Sequence, residues 1–319
     1  MTVLTEGTAK ECSQTVTAEM RRNAATNVAR YDWARAEQQA AVEAAKPFVA
    51  MADEALWKLV PSQEVPRTMH VQLLAGNDRV SSCPNCGPKI LKFGNYPWLC
   101  DVANLPWKVK CPQCGEVYPK NDFGKYYESA LDEHGFFRRG KGDPNLLVNV
   151  DHPDPGDPLH KAWVDDGYGY QDPDTGRWDF VAYYTSWGLW RHLRRVVGVL
   201  SQACCLTDDP QYAHKAGVLL SRIADVYPDM DWKPMADLKF SHSDGSSGAG
   251  RVEGQIWETG VATQLAADYD RVYDALSRDA ELLTFLQEKA RGHSFPVPAD
   301  PAAVCRHIED GLLLEFYKS

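Results

Sequence analysis

The chain has 319 residues, of which 44% are hydrophobic and 24% charged, so its length allows about two domains and a substantial core. Its 34 Lys and Arg stand against 44 Asp and Glu, and the net charge of −10 gives no general attraction to nucleic-acid phosphates or anionic lipid. Residues 1–16 lack the basic and apolar regions of an export signal, and no run approaches the roughly 18 apolar residues of a membrane span. We therefore expect a soluble, cytoplasmic protein that binds neither nucleic acid nor membrane.

The first 82 residues are predicted to form a helical region. Residues 17–45 are rich in Ala, Glu, Arg and Gln, with apolar residues at helical spacing. This pattern predicts one long amphipathic helix that ends before Pro47. A shorter helix is predicted over residues 48–59, because two prolines follow it.

Residues 83–122 are predicted to form a zinc ribbon. The pattern CPxCG occurs twice, first with Cys83 and Cys86 and again with Cys111 and Cys114. Each copy is a tight turn that directs two thiolates at one point, and 24 residues lie between Cys86 and Cys111. Four thiolates leave no open coordination position, so a bound Zn²⁺ is expected to be structural. Redox pairs and unligated thiols are the alternatives.

The remaining cysteines are not expected to form a disulfide framework, because their total of nine is odd and the chain has no export signal. Cys100 lies between the two knuckles and is predicted to be a free, partly buried thiol. Cys204 and Cys205 are adjacent in a predicted helix, where packing in the core is the expected role of both.

Residues 123–319 are predicted to be a loop-rich segment followed by a succession of helices. Up to residue 176 the chain is rich in Pro, Gly and Asp, and PDTG at 173–176 is typical of a turn. Helices are predicted over residues 180–206, 210–226, 251–276, 279–291 and 301–316. Most of the loops between them are short, which is typical of antiparallel helix pairs packed side by side, and the Ser/Gly-rich loop 241–250 is expected to be mobile.

Several segments of the chain carry a family resemblance. They are CPNCG at 83–87, PWKVKCPQCGEVYPKNDF at 106–123, LDEHGFF at 131–137, VDDGYGY at 164–170, FVAYYTSWGLWRHL at 180–193, DDPQYAHKAGVLLSRIADVYPDMD at 208–231, GQIWETGVATQLAADYDRVYDAL at 254–276 and IEDGLLLE at 308–315. Together they resemble the heparinase II/III-like polysaccharide lyases, in particular the bacterial branch with a zinc ribbon before the helical domain. The resemblance covers most of the chain from Cys83 onward.

The resemblance implies an incomplete (α/α) toroid and cleavage of uronic-acid polysaccharides, such as glycosaminoglycans or alginate, by β-elimination. In that reaction one group neutralises the C5 carboxylate, a base removes the C5 proton and an acid protonates the departing oxygen. Family members place an Asn and a His, then a Tyr and a β-sandwich domain, after the segment that matches residues 308–315. Because this chain stops at Ser319, we expect it to be the N-terminal part of a lyase, and no catalytic residue transfers from the family.

Aromatic and basic side chains cluster in the predicted helix over residues 180–206. A spacing of three to four residues predicts that Tyr184, Trp187 and Arg191 share one face. Rings beside a guanidinium suit an acidic sugar, because the rings stack on the sugar and the guanidinium binds its carboxylate. We therefore predict that these three residues bind substrate, with core packing as the alternative.

Further candidate site residues lie on the same helix and beyond it. Tyr184 and His192, together with His242 of the Ser/Gly-rich loop, are candidate catalytic residues. Trp257 and Glu258, near the start of the helix over residues 251–276, are predicted to bind substrate, and the alternative is that they support a neighbouring helix.

Two other functions remain open from the sequence. A toroid glycoside hydrolase would need two carboxylates across a groove, for which Asp165, Asp166, Glu253 and Glu258 are candidates. A non-catalytic sugar-binding fragment with a zinc ribbon is the other. The product separates the enzymes, because a lyase leaves an unsaturated uronate and a hydrolase leaves a saturated reducing end.

Overall fold

A computed structural model describes residues 10–73, 82–232 and 250–318, and over these residues the chain is mainly helical. The helices are α1 (Ala18–Arg30), α2 (Asp32–Val49), α3 (Asp53–Leu59), α4 (Phe123–Ser129), α5 (Phe180–Tyr183), α6 (Arg191–Thr207), α7 (Pro210–Val226), α8 (Gln255–Leu276), α9 (Ala280–Gly292), α10 (Pro301–Ile308) and α11 (Leu314–Lys318). Two π-helical segments, Tyr184–Trp190 and Glu309–Leu313, join α5 to α6 and α10 to α11. Within the described residues, no helix is both long and apolar enough to cross a membrane.

Short strands and 3₁₀ turns complete the described structure. The strands are β1 (Gln72–Leu73), β2 (Val109–Lys110), β3 (Val117–Tyr118), β4 (Tyr170–Asp172) and β5 (Gly176–Trp178). The 3₁₀ turns are Gly87–Phe93, Pro144–Leu146 and Tyr227–Asp229. The predicted turn at 173–176 joins strands β4 and β5 into a hairpin that was not predicted from the sequence, and β1 pairs with β5 on its other side.

The predicted N-terminal helix is two helices rather than one. Tyr31 has extended backbone angles (φ −122°, ψ 136°) and separates α1 from α2. The prediction that the helix ends before Pro47 was wrong, because α2 continues through this proline to Val49. Pro47 has no backbone N–H to donate to the carbonyl four residues earlier, and the helix ends two residues after it.

The core is built around α6. This helix packs against α2, α7 and α8, and its residues Leu193, Val196, Val197 and Leu200 are fully buried. A tight turn joins α6 to α7, where Asp208 takes a left-handed conformation and the Asp209 carboxylate accepts a hydrogen bond from the backbone N–H of Gln211. The side-by-side packing of neighbouring helices agrees with the helix pairs predicted from the sequence.

Candidate functional site

The four predicted cysteine ligands come together at one point. The Sγ atoms of Cys83 and Cys114 are 3.7 Å apart, as are those of Cys86 and Cys111, and all four lie within 4.8 Å of one another. A tetrahedral zinc with bonds of about 2.3 Å places its sulfurs about 3.8 Å apart, whereas a disulfide has a bond of about 2.05 Å. The cluster can therefore hold a metal ion.

Local backbone hydrogen bonds shape each knuckle. In the first, Cys83 and Gly87 exchange both of their backbone hydrogen bonds, at 2.8 and 3.2 Å. In the second, the N–H of Gly115 donates to the carbonyl of Cys111, and the Cys111 N–H donates to the carbonyl of Glu116. Gly87 and Gly115 have φ values of +61° and +80°. This left-handed conformation explains the glycine after each second cysteine.

The four cysteine side chains of the cluster are buried or half-buried. Cys83 and Cys111 are buried, and Cys86 and Cys114 are half-buried. Burial raises the pKa of Cys83 and raises that of Cys86 to about 11. Because thiolates bind metals and thiols do not, a cation that enters this site must release protons.

Cys100 and Cys204 follow the predictions, whereas Cys205, predicted to pack in the core, is only half-buried. Cys100 is a half-buried free thiol between the knuckles, and burial raises its pKa. Cys204 lies in the core, while Cys205 is half-buried. The Cys205 thiol points at the backbone carbonyl of Arg271, at 3.9 Å.

A second feature of the structure is a group of stacked side chains, which we call the aromatic–arginine cluster: His70, Tyr96, Trp187 and Arg191. The guanidinium carbon of Arg191 is 3.4 Å from the centre of the Trp187 ring. The Tyr96 ring stacks on Trp187 with centroids 4.2 Å apart, and His70 stacks on Tyr96 at 5.5 Å. Trp187 and Tyr96 are half-buried, whereas Arg191 is exposed.

The Arg191 guanidinium is available to a ligand. Among the residues that the structure describes, no carboxylate or carbonyl forms a hydrogen bond or an ion pair with it. Arg194, one turn further along, is instead engaged: it donates to Glu253 at 3.0 Å and to the side chain of Gln264 at 3.0 Å. Burial raises the pKa of Glu253, and the positive charges of Arg194 and Arg191 oppose this.

Of the three predicted substrate-binding residues on this helix, the structure brings together Trp187 and Arg191 and places Tyr184 in the core. Tyr184 is 1% exposed, and its ring packs against Trp107 at 5.6 Å. The expected common face assumed regular α-helical spacing, but Tyr184–Trp190 is π-helical. A π-helix closes its hydrogen bonds from i to i+5, which shifts side chains relative to an α-helix.

The two candidate catalytic histidines fall in different places. His192 is half-buried and packs edge-on against Phe48 of α2 at 5.6 Å. Burial lowers the pKa of His192, which keeps its imidazole neutral near pH 7. His242 lies outside the described residues.

Trp257 and Glu258 lie in the first turn of α8 and differ in exposure. Trp257 is 38% exposed, whereas Glu258 is 5% exposed. Oε2 of Glu258 accepts hydrogen bonds from the backbone N–H groups of residues 251–253, at 2.9 to 3.1 Å. Its Oε1 accepts a hydrogen bond from the hydroxyl of Tyr227 at 2.6 Å. Through these hydrogen bonds Glu258 stabilises the backbone of residues 251–253, which immediately precede α8.

A second carboxylate proposed for hydrolysis is engaged in the same way. Asp165 is fully buried and accepts hydrogen bonds from the backbone N–H groups of Gly167, Gly169 and Val181, at 2.7 to 3.0 Å. Burial raises the pKa of Asp165 to about 6, against the lowering effect of these donors. Asp165 thus ties a loop to the start of α5.

Sequence reasoning missed Tyr96 and His70. Tyr96 lies between the two cysteine knuckles, and His70 precedes β1, so neither is near Trp187 in the chain. The sequence contains one feature that could have pointed to Tyr96. The aromatic segment Tyr-Pro-Trp at residues 96–98 lies between the two cysteine pairs, and metal binding by the cysteines does not require it.

No protein-family model, no curated protein and no solved structure matches this chain.

Proposed function

We propose that this chain is part of a polysaccharide lyase of the heparinase II/III-like kind, which cleaves uronic-acid polymers such as glycosaminoglycans or alginate by β-elimination. The observation that carries the proposal is the exposed guanidinium of Arg191, whose central carbon lies 3.4 Å from the centre of the Trp187 ring and which has no hydrogen-bond or ion-pair partner among the described residues. An incomplete (α/α) toroid built from helix pairs such as α6 and α7 is part of the proposal.

The cluster suits the carboxylate of a uronate. A guanidinium presents parallel N–H donors that match a carboxylate, and stacking on an indole fixes the plane of those donors before the ligand arrives. Trp257, exposed at the start of α8, offers a ring for the apolar face of a sugar. We assign Arg191 a role in binding, since the family resemblance places the base and the acid after the segment 308–315.

The four cysteines are proposed to bind one structural zinc ion. The sulfur separations of 3.7 Å fit a tetrahedral four-thiolate site. Such a site has no open position for substrate, so the zinc would fold residues 83–122 and would not take part in the elimination.

The test combines product analysis with a matched pair of variants. The protein is incubated with alginate, hyaluronan, chondroitin and heparan sulfate, and ultraviolet absorbance detects the conjugated double bond of an unsaturated uronate. Affinity for the same polymers is measured for Arg191→Ala and for Arg195→Ala, an exposed arginine of the same helix. Loss of a charge-assisted hydrogen bond predicts that Arg191→Ala weakens binding by about tenfold or more, while Arg195→Ala binds as the wild type does.

The outcomes narrow the candidate functions. Binding with a rise in absorbance supports a lyase whose base and acid lie within this chain. Binding without cleavage fits both a lyase part whose base and acid lie elsewhere and a sugar-binding fragment, and cleavage to saturated ends indicates a hydrolase. A folded, metal-loaded protein that binds none of the polymers refutes the proposal.

A further inference from the structure

We infer that the four-cysteine insert, residues 83–122, builds one wall of the proposed sugar-binding surface, with Tyr96 as a positioning residue that holds Trp187 under Arg191. Metal binding at the cysteines would then set the affinity of the surface for uronates. The identity of the ligand rests on the proposed function, whereas the coupling between the metal site and Trp187 rests on the contacts described next.

The segment of chain that carries Tyr96 begins and ends at cysteines of the proposed metal site, Cys86 and Cys111. The chain leaves Cys86, runs through the 3₁₀ turn Gly87–Phe93, passes Tyr96 and returns to Cys111. Just before it returns, Leu99 and Lys110 exchange both backbone hydrogen bonds, at 3.0 and 2.9 Å. A metal ion that ties Cys86 to Cys111 therefore closes a loop that contains Tyr96, and closure removes conformational freedom from that loop.

The insert also touches the π-helical segment directly. A Cβ atom built on Gly188 would lie 2.8 Å from the Cβ of Cys100, closer than such atoms normally approach. Trp98 is buried and packs edge-on against Phe180, at 6.2 Å. The ring of Tyr118, which follows the second knuckle, stacks on the same Phe180 at 4.8 Å. The surroundings of the metal site and the start of the helix that carries Trp187 thus share one core.

Trp187 depends on stacking for its orientation. Its indole N–H is buried and has no hydrogen-bond partner among the described residues. The ring is held by Tyr96 at 4.2 Å and by Tyr183 at 6.0 Å, and Arg191 lies on it. Without Tyr96 the indole loses its closest ring contact, and the guanidinium of Arg191 loses the fixed ring on which it rests. A π-helical turn at this position agrees with the inference, because such turns are frequent at functional sites.

The experiment uses the full chain and three variants. Tyr96→Ala removes the ring, Tyr96→Phe keeps it, and Leu99→Ala is the matched control, since Leu99 is a 53% exposed residue of the same insert. Metal content is measured by elemental analysis, and affinities for hyaluronan and alginate tetrasaccharides are measured by calorimetry. Hydrogen exchange of residues 184–191 is followed before and after chelation, with α7 as the internal reference.

Loss of one aromatic stacking contact predicts that Tyr96→Ala keeps its metal but binds the tetrasaccharides about three- to tenfold more weakly. Tyr96→Phe and Leu99→Ala should bind as the wild type does. Chelation should accelerate exchange in residues 184–191 more than in α7.

Two results would overturn the inference: wild-type affinity in Tyr96→Ala, or unchanged exchange in residues 184–191 after verified loss of metal. A wild-type protein that binds neither tetrasaccharide instead refutes the proposed function. In that case the exchange experiment alone decides whether the metal site holds the aromatic–arginine cluster.

Discussion

Replacement of Glu258 by Gln tests whether this residue serves the fold or the ligand. Its Oε2 accepts three backbone N–H groups of residues 251–253, and its Oε1 accepts the Tyr227 hydroxyl. A hydrogen bond to a charged group contributes about 1.5–3 kcal/mol and a neutral one about 0.5–1.5 kcal/mol, so loss of the charge costs about 1 kcal/mol per bond. For the three N–H groups, Glu258→Gln should lower the free energy of unfolding by about 3 kcal/mol.

The assay is unfolding by denaturant at constant metal loading. Glu288→Gln is the matched control, because Glu288 is exposed on α9, and its unfolding free energy should change by less than about 0.5 kcal/mol. Equal stability of Glu258→Gln and the control would refute the reasoning. The backbone bonds would then not need the carboxylate, and a direct role in substrate binding, as the sequence suggested, would become the better explanation.

Other perturbations probe the core, the surface charges and the metal site. Gly188→Ala places a methyl group 2.8 Å from the Cβ of Cys100 and should lower the unfolding free energy by about 1–3 kcal/mol. For His214, a hydrogen bond to Asp279 at 2.9 Å raises the pKa. Its stabilisation is therefore complete below its unfolded pKa of about 6.5 and is lost as pH rises through the folded pKa. Denaturant unfolding should accordingly show a larger loss for His214→Asn at about pH 6 than at about pH 9. Because burial also raises the pKa of Cys83, metal content measured by elemental analysis should fall on acidification.

Each of these predictions has a contrary result. A Gly188→Ala protein as stable as the wild type would mean that the insert does not pack tightly on the π-helical segment. A loss of stability in His214→Asn that is the same at both pH values would mean that its charge contributes nothing. Metal content that stays constant on acidification would argue against thiolate ligands.

The metal site could be predicted from the sequence because its determinants are local. Cys83 and Gly87 lie within one turn, as do Cys111 and Gly115, and their hydrogen bonds close inside each knuckle. The spacing of the pattern therefore carries the geometry of each pair. Only the meeting of the two pairs is a tertiary event, and it brings together four sulfurs that can hold one metal ion.

The aromatic–arginine cluster could be predicted only in part. Arg191 and Trp187 are close in the chain, so their pairing follows from helical spacing. Tyr184 departs from the prediction because a π-helical segment changes the register of the face, and no composition signal marks such a segment. Tyr96 joins Trp187 through the fold of the insert, which periodicity cannot report.

Two arginines on one helix differ in both exposure and hydrogen-bond partners. Arg194 is half-buried and donates hydrogen bonds to Glu253 and Gln264. Its guanidinium therefore helps to hold α6 against α8. Arg191 is exposed, rests on an indole and keeps its hydrogen-bond donors free of partners among the described residues. In a chain with a net charge of −10, acidic partners for a surface arginine are abundant. A guanidinium that stacks on a ring and forms no ion pair is therefore the feature of this surface that a carboxylate ligand would complete.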